Sequence, residues 1–228
     1  MLSAQRGLLM AIVGVVSAVA VRAVLRRTRR HRATATDLAS LWVGGIETMV
    51  DVPKVGTLSL APAASAADSR ASFARFGGVP EALGGVAFAL TAFDPPGVSR
   101  TREANGEANV ALWAVLEALE ARPKRAWRAF GCDLDEGWRE DGFVLAYADA
   151  AAAAAARPGV LAAAKAFDQG AIYEYHERDG ALLRRTLGAA MADLDETTFM
   201  RYVSYEDLAA RSALVALPWA GPGDGGVI

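Results

Sequence analysis

Cysteine occurs once, at Cys132, which excludes an intrachain disulfide and any cysteine-built metal site. A lone thiol of this kind reads as a small buried side chain. There is no Asn-x-Ser/Thr sequon, and both absences favour a reducing compartment. The chain also lacks the short signatures of common chemistries. No G-x-S-x-G, H-E-x-x-H or C-x-x-C is present, which disfavours nucleophile-elbow and zinc chemistry. The glycines at Gly77-Gly78 and Gly84-Gly85 match neither a dinucleotide fingerprint nor a phosphate-binding loop and read as turns. Histidine is nearly absent: His176 is the only one after the first 36 residues, with no serine or cysteine motif near it.

Acidic residues are missing from residues 1–36, which carry seven of the 24 basic side chains; residues 37–228 hold the other 17 against all 26 acidic ones. An acidic globular part argues against nucleic acid as a partner, because phosphate binding needs clustered Lys and Arg. It leaves a protein partner or a small ligand open.

Residues 8–25 hold the longest apolar run, broken only by Arg22, and RRTRRHR follows from Arg26 to Arg32. A membrane helix needs roughly 17–25 apolar residues, so this run just reaches if Arg22 snorkels to the interface. The basic flank then sets the domain on the cytoplasmic, stromal or matrix side. Two alternatives stand beside this single N-terminal anchor. One is an organelle-import leader that is later cleaved, since the segment is Arg-rich and acid-free; the other is a secretory signal with Ala18-Val19-Ala20 at its cleavage site.

The remaining 53% hydrophobic and 22% charged composition suits one globular domain. We place it at residues 37–217, with a core at 86–187 and a flexible tail at 218–228. Ile46–Val52 and Thr57–Ala61 have strand composition, and Ser65–Phe76 reads as a short helix. Val86–Phe93 reads as a buried strand ended by Asp94-Pro95-Pro96-Gly97. Ser99 or Thr101 caps the helix that follows, on which Asn105, Asn109, Leu112, Leu116 and Leu119 share one face. Arg125–Cys132 and Gly142–Ala148 read as strands around an acidic loop, DLDEGWRED. An alanine run at 150–156 stops at Pro158-Gly159, and a second helix covers 160–169. Ala171–His176 and Ala181–Leu187 form a hairpin about Asp179-Gly180, and a last helix is capped by Ser204. The order strand–helix–strand–strand–helix–strand predicts an α+β fold. Its ferredoxin-like split βαβ sheet is antiparallel, with two helices on one face. A C-terminal hairpin and helix and an N-terminal hydrophobic helix complete the expectation.

Thr91-Ala92-Phe93-Asp94-Pro95, then Asn105 and Asn109 with Leu112, then Trp138 with Glu140 before a strand, then Phe167, Gln169 and Ala171 resemble, in order and spacing, the domain of unknown function 3293 family. The resemblance covers residues 88–176. It departs from the family pattern at Asp94, where the family has Asn, and in the proline-interrupted run at 150–158. It implies a compact α+β domain and no activity, cofactor or catalytic residue.

Candidate site residues therefore come from physical reading. Asn105 and Asn109 face inward, and a buried amide without a partner costs about 1–3 kcal/mol, so something must bind them. Either the Asp94–Ser99 loop backbone does so, or a ligand at that helix end. Trp138 in a charged loop must fold back onto the sheet or meet a partner. The acidic residues around it read as a solvated loop without a metal, and no cofactor is expected. The candidate binding site is Asp94, Ser99, Asn105, Asn109, Trp138, Glu140 and Gln169. The sequence thus points to a tethered or organelle-targeted binding module. The alternative is an enzyme acting on a small polar or anionic substrate, with Asp94 or Glu140 as general acid–base.

Overall fold

The computed structural model of the protein describes residues 44–52, 54–95, 99–191 and 194–222. The leader at 1–36, with its anchor at 8–25, lies outside the described residues. Among those described, no helix is long and apolar enough to cross a membrane.

The described chain forms eight strands and four α-helices. In order they are β1 (Ile46–Val52), β2 (Gly56–Pro62), α1 (Ala66–Phe73), β3 (Val86–Thr91), α2 (Arg102–Glu117), β4 (Arg125–Asp133), β5 (Trp138–Tyr147), α3 (Ala150–Ala166), β6 (Ala171–Arg178), β7 (Ala181–Gly188), β8 (Asp195–Val203) and α4 (Tyr205–Arg211). The strands close into an all-antiparallel barrel in the order β1-β2-β8-β7-β6-β3-β5-β4.

Closure overturns the expected open α+β sheet. The strands between Val86 and Arg178 form an arc of the ring in the order β6-β3-β5-β4, without edges of their own. β4 pairs with β1 from Ile46↔Cys132 to Met49↔Ala129, and β6 pairs with β7 over their full lengths. β8, which composition alone did not suggest, links β7 to β2. An unpaired sheet edge exposes a row of backbone donors and acceptors, and closing the ring satisfies both edges at once.

Side-chain alternation divides the barrel into an inside and an outside. Met49, Leu58, Leu60, Ala87, Ala89, Trp127, Ala129, Val144, Ala146, Tyr175, Leu182 and Met200 form one buried cluster drawn from alternate positions of all eight strands. That cluster is the barrel interior. Phe73 at the end of α1 and Leu83 in the 3₁₀ turn Glu81–Leu83 join it and close one end. Ser69 and Ser72 of α1 accept the backbone N–H groups of Leu182 and Tyr202, which ties the plug to β7 and β8.

The opposite faces of β3, β5 and β6 carry a second core. Phe88, Leu90, Phe143, Leu145 and Ile172 pack against Leu112, Trp113 and Leu116 of α2 and against Ala156, Val160 and Ala164 of α3. The expected break at Pro158 does not occur: α3 runs through it. Proline removes the hydrogen bond to the carbonyl four residues earlier. Both Pro158 and Ala154 are exposed, so water can take that carbonyl. The acidic loop also shrinks, because Trp138 begins β5, which leaves a tight turn in which Asp133 Oδ1 accepts the N–H groups of Asp135 and Glu136.

Candidate functional site

The end of the barrel opposite the α1 plug is polar. Inward positions continue upward past the apolar cluster as Glu47 on β1, Gly131 on β4, Glu140 and Trp138 on β5, Tyr173 on β6, and Arg184 and Thr186 on β7. Glu47, Gly131, Trp138, Glu140 and Tyr173 border a partly open cavity of about 50 Å³, whose walls also include Thr91 and Gln169. Gly131 keeps it open: a methyl group there would sit 3.7 Å from both Glu47 Oε2 and the Trp138 ring.

Glu47 is the most unusual group in this mouth. It is 5% exposed, and among the described residues nothing hydrogen-bonds to its carboxylate. Burial pushes its pKa up to about 8; the Arg184 charge opposes that rise and Glu140 adds to it. A carboxyl in an apolar surround keeps its proton because ionising it there costs solvation that no partner returns. Arg184 is fully buried. Its Nη1 donates to the Gly45 carbonyl at 2.7 Å, and its guanidinium lies 4.3 Å from the Tyr173 ring centroid. Thr186 is also fully buried, and its hydroxyl has no hydrogen-bond partner among the described residues.

The asparagines expected at a site lie on the other side of the wall. Asn109 Oδ1 accepts the Ala92 N–H at 3.0 Å, and its Nδ2 donates to the Asp141 carbonyl at 2.8 Å and the Ala220 carbonyl at 3.3 Å. Asn105 forms a reciprocal pair with Asp94, accepting its N–H and donating to its Oδ1, both at 3.0 Å. Asp94 Oδ1 also accepts the Arg100 N–H at 2.8 Å. These bonds hold Asp94 at φ +28, a conformation non-glycine residues avoid. Thr101 rather than Ser99 caps α2, and Ser99 is exposed. Gln169 bridges the two sides: Nε2 donates to the Phe93 carbonyl at 2.9 Å while the residue lines the cavity. The structure thus brings Trp138, Glu140 and Gln169 together at the mouth. Asp94, Asn105 and Asn109 lie behind it in a network of internal bonds.

Asp141 completes that outer network. It is fully buried between Arg139 Nε at 2.7 Å and Arg102 Nη2 at 2.6 Å, and it also accepts the Ala220 N–H at 2.8 Å. Arg139 Nη1 donates to the carbonyls of Leu214, Val215 and Leu217, and Arg102 to that of Pro218. The start of the expected tail is thereby laced to the barrel, with Trp219 packed on Phe143. The acidic residues of this stretch do not converge, and among the described residues no group of acidic, His or Cys side chains is arranged to hold a metal ion. Cys132 is buried, and burial pushes its thiol up to about 12.

Glu47, Arg184 and Thr186 escaped the sequence reading. A signal for Glu47 existed: it is in phase with Met49 in IETMVDV, so a strand that buries one buries the other. The same holds for Arg184 and Leu182 in ALLRRTLG.

Residues 90–172 match the model of a family described as Protein of unknown function (DUF3293), in agreement with the resemblance over 88–176. The matched segment runs from the end of β3 to the start of β6, and so includes Trp138, Glu140 and Gln169 but neither Glu47 nor Arg184. No curated protein and no solved structure matches the chain.

Proposed function

We propose that this protein is a non-catalytic binding module whose barrel mouth receives a small polar ligand. The observation that carries the reading is Glu47, a buried carboxyl group without a hydrogen bond, facing a partly open cavity. Buried polar groups in folded proteins nearly always have partners, and one left over beside an opening is suited to a partner from outside. Trp138, Glu140 and Gln169 belong to this site. Asp94, Asn105 and Asn109 support its rim by fixing the 92–100 segment, with Ser99 at that segment's exposed side. Residues 8–25 tether the barrel to a membrane, with the domain on the cytoplasmic, stromal or matrix side, or else serve as a cleaved organelle leader.

Native mass spectrometry of the full-length protein, released from its own cells, tests the site. We expect a retained small-molecule mass that disappears in Gly131→Leu, a substitution that fills the mouth. Identical ligand-free masses for both proteins, with no response of the Trp138 indole to a panel of small polar compounds, would remove the reading. Extraction of the full-length protein from membranes by alkaline carbonate would remove the tether.

One observation favours an enzyme as the second reading. A carboxyl that holds its proton to about pH 8 beside a second carboxylate is an arrangement used for general acid–base work. Chemical conversion of the retained ligand by the wild type, lost in Glu47→Gln with binding intact, would favour this reading over the first.

A further inference from the structure

The polar side chains around the cavity are engaged, with one exception. Thr91 Oγ1 donates to the Asp141 carbonyl at 2.6 Å and accepts the Phe93 N–H at 2.9 Å. Gln169 Nε2 donates to the Phe93 carbonyl. Trp138, Glu140 and Tyr173 each have an interaction of their own. The exception is Glu47, whose carboxyl has no hydrogen bond among the described residues and reaches the cavity beside Gly131. Charge narrows the choice of partner. The described wall holds no Lys, Arg or His, and Glu140 borders it, so an anion would give up its water without meeting a lining cation. Arg184, outside the lining, acts on Glu47 more strongly than Glu140 does, so a cation is not drawn there either. Burial keeps the proton on Glu47 below about pH 8. The group that faces the cavity is thus a neutral carboxyl, with one O–H donor beside one C=O acceptor.

We propose that the ligand is a small uncharged carboxamide: its C=O accepts the Glu47 O–H, its N–H donates to the Glu47 C=O, and its apolar part lies against Ala89, Leu90, Ala171 and Ile172. The proposal rests on the reading of the mouth as a binding site and names its ligand class. A carboxamide presents an acceptor and donors in one plane, so it satisfies both halves of the carboxyl at once. A hydroxyl offers both functions from one atom and cannot reach both carboxyl oxygens with straight bonds. A carboxylic acid would match the shape but is ionised at pH 7. At about 50 Å³ the cavity takes a head group of this size and no fused ring system. Ionising Glu47 removes the donor and sets a negative charge against the ligand carbonyl, so binding should weaken as pH rises through about 8. The titratable and charged groups facing Glu47 are Glu140 from β5, Arg184 from β7, Tyr173 and Tyr175 from β6, and Cys132 from β4. Burial raises Tyr175 well above its ordinary value and Cys132 to about 12, so both stay neutral up to pH 9, and an arginine keeps its charge throughout.

The test is a titration of the full-length protein in detergent, followed at the Trp138 indole by NMR. The probes are butyramide, butyrate, butylammonium and butanol, at pH 7 and pH 9. Butyramide alone is expected to saturate, binding about tenfold more weakly at pH 9 than at pH 7 as Glu47 ionises. Glu47→Gln keeps one donor and one acceptor at that position, so it should bind butyramide equally at both pH values. Glu47→Leu, of similar bulk and without either function, should bind it at least tenfold more weakly at pH 7. The wild-type pH dependence carries the test if a variant does not fold. Saturation by any other probe, butyramide binding that is the same at pH 7 and pH 9 in the wild type, or a Glu47→Leu variant that binds as the wild type does, overturns the carboxamide class while leaving the mouth a binding site. If no probe moves the indole, the carboxamide class falls; if native mass spectrometry also finds no retained ligand, the binding module falls with it.

Discussion

Two buried polar regions lie back to back across β5, and consecutive residues divide them: Asp141 points outward and Glu140 inward. On the outer side every polar group described above has its bond. Asp141 carries two arginines and a backbone N–H, and Asn109 accepts one bond and donates two. On the inner side Glu47 has none, and the Thr186 hydroxyl has none. Polarity by itself therefore does not mark a site. Satisfied buried polar groups specify the position of a loop and a terminal strap; unsatisfied ones beside an opening are available to a ligand.

The contrast predicts opposite responses to substitution. The largest effect is expected on the outer side. Asp141→Ala leaves Arg139, whose side chain is 4% exposed, without its carboxylate. We expect a loss of about 3–5 kcal/mol in urea denaturation, with Trp219 freed from Phe143. On the inner side Glu47→Gln should stabilise. Its folded pKa of about 8 exceeds the ordinary 4.5, so between these values the native state binds more protons than the unfolded state. Stability then falls as pH rises through that window. The variant should lack this fall and gain on the order of 5 kcal/mol at pH 9, with no gain below pH 4.5. A wild-type stability flat from pH 5 to pH 9 would contradict the assignment.

Asn109→Leu comes next. It orphans the Ala92 N–H and two carbonyls, and should cost about 1–3 kcal/mol without changing the pH profile of the mouth. The smallest effect is Thr186→Val, which replaces an unbonded hydroxyl by a methyl group of the same shape. A gain of up to about 1 kcal/mol is expected in thermal unfolding, and a loss of similar size would show that the hydroxyl has a partner.

Local signals were legible where local physics decides. The stripe Asn105, Asn109, Leu112 and Leu116 is buried as the helical spacing requires. The Asp179-Gly180 turn joins β6 to β7 with both residues at positive φ. Trp138 was misplaced in a loop, because the acidic residues around it mask a strand whose alternate positions face different surroundings. Pro158 was read as a stop, although a proline on the exposed face of a packed helix is tolerated when water can reach the freed carbonyl. β8, DETTFMRYV, was missed because its hydrophobic content is low, and its place is fixed by pairing with β7 and β2.

By itself the sequence determined most of the local elements, the inward face of α2, and the basic, acid-free character of its first 36 residues. Those depend on spacings of a few residues and on composition. Closure of the ring was decided only by tertiary structure, since the pairings of β1 with β4 and of β2 with β8 join residues far apart in the chain. Closure also decided which glutamate is unusual. Glu47 in an open strand would be a solvated carboxylate; in the closed barrel it is 5% exposed, and burial raises its pKa to about 8.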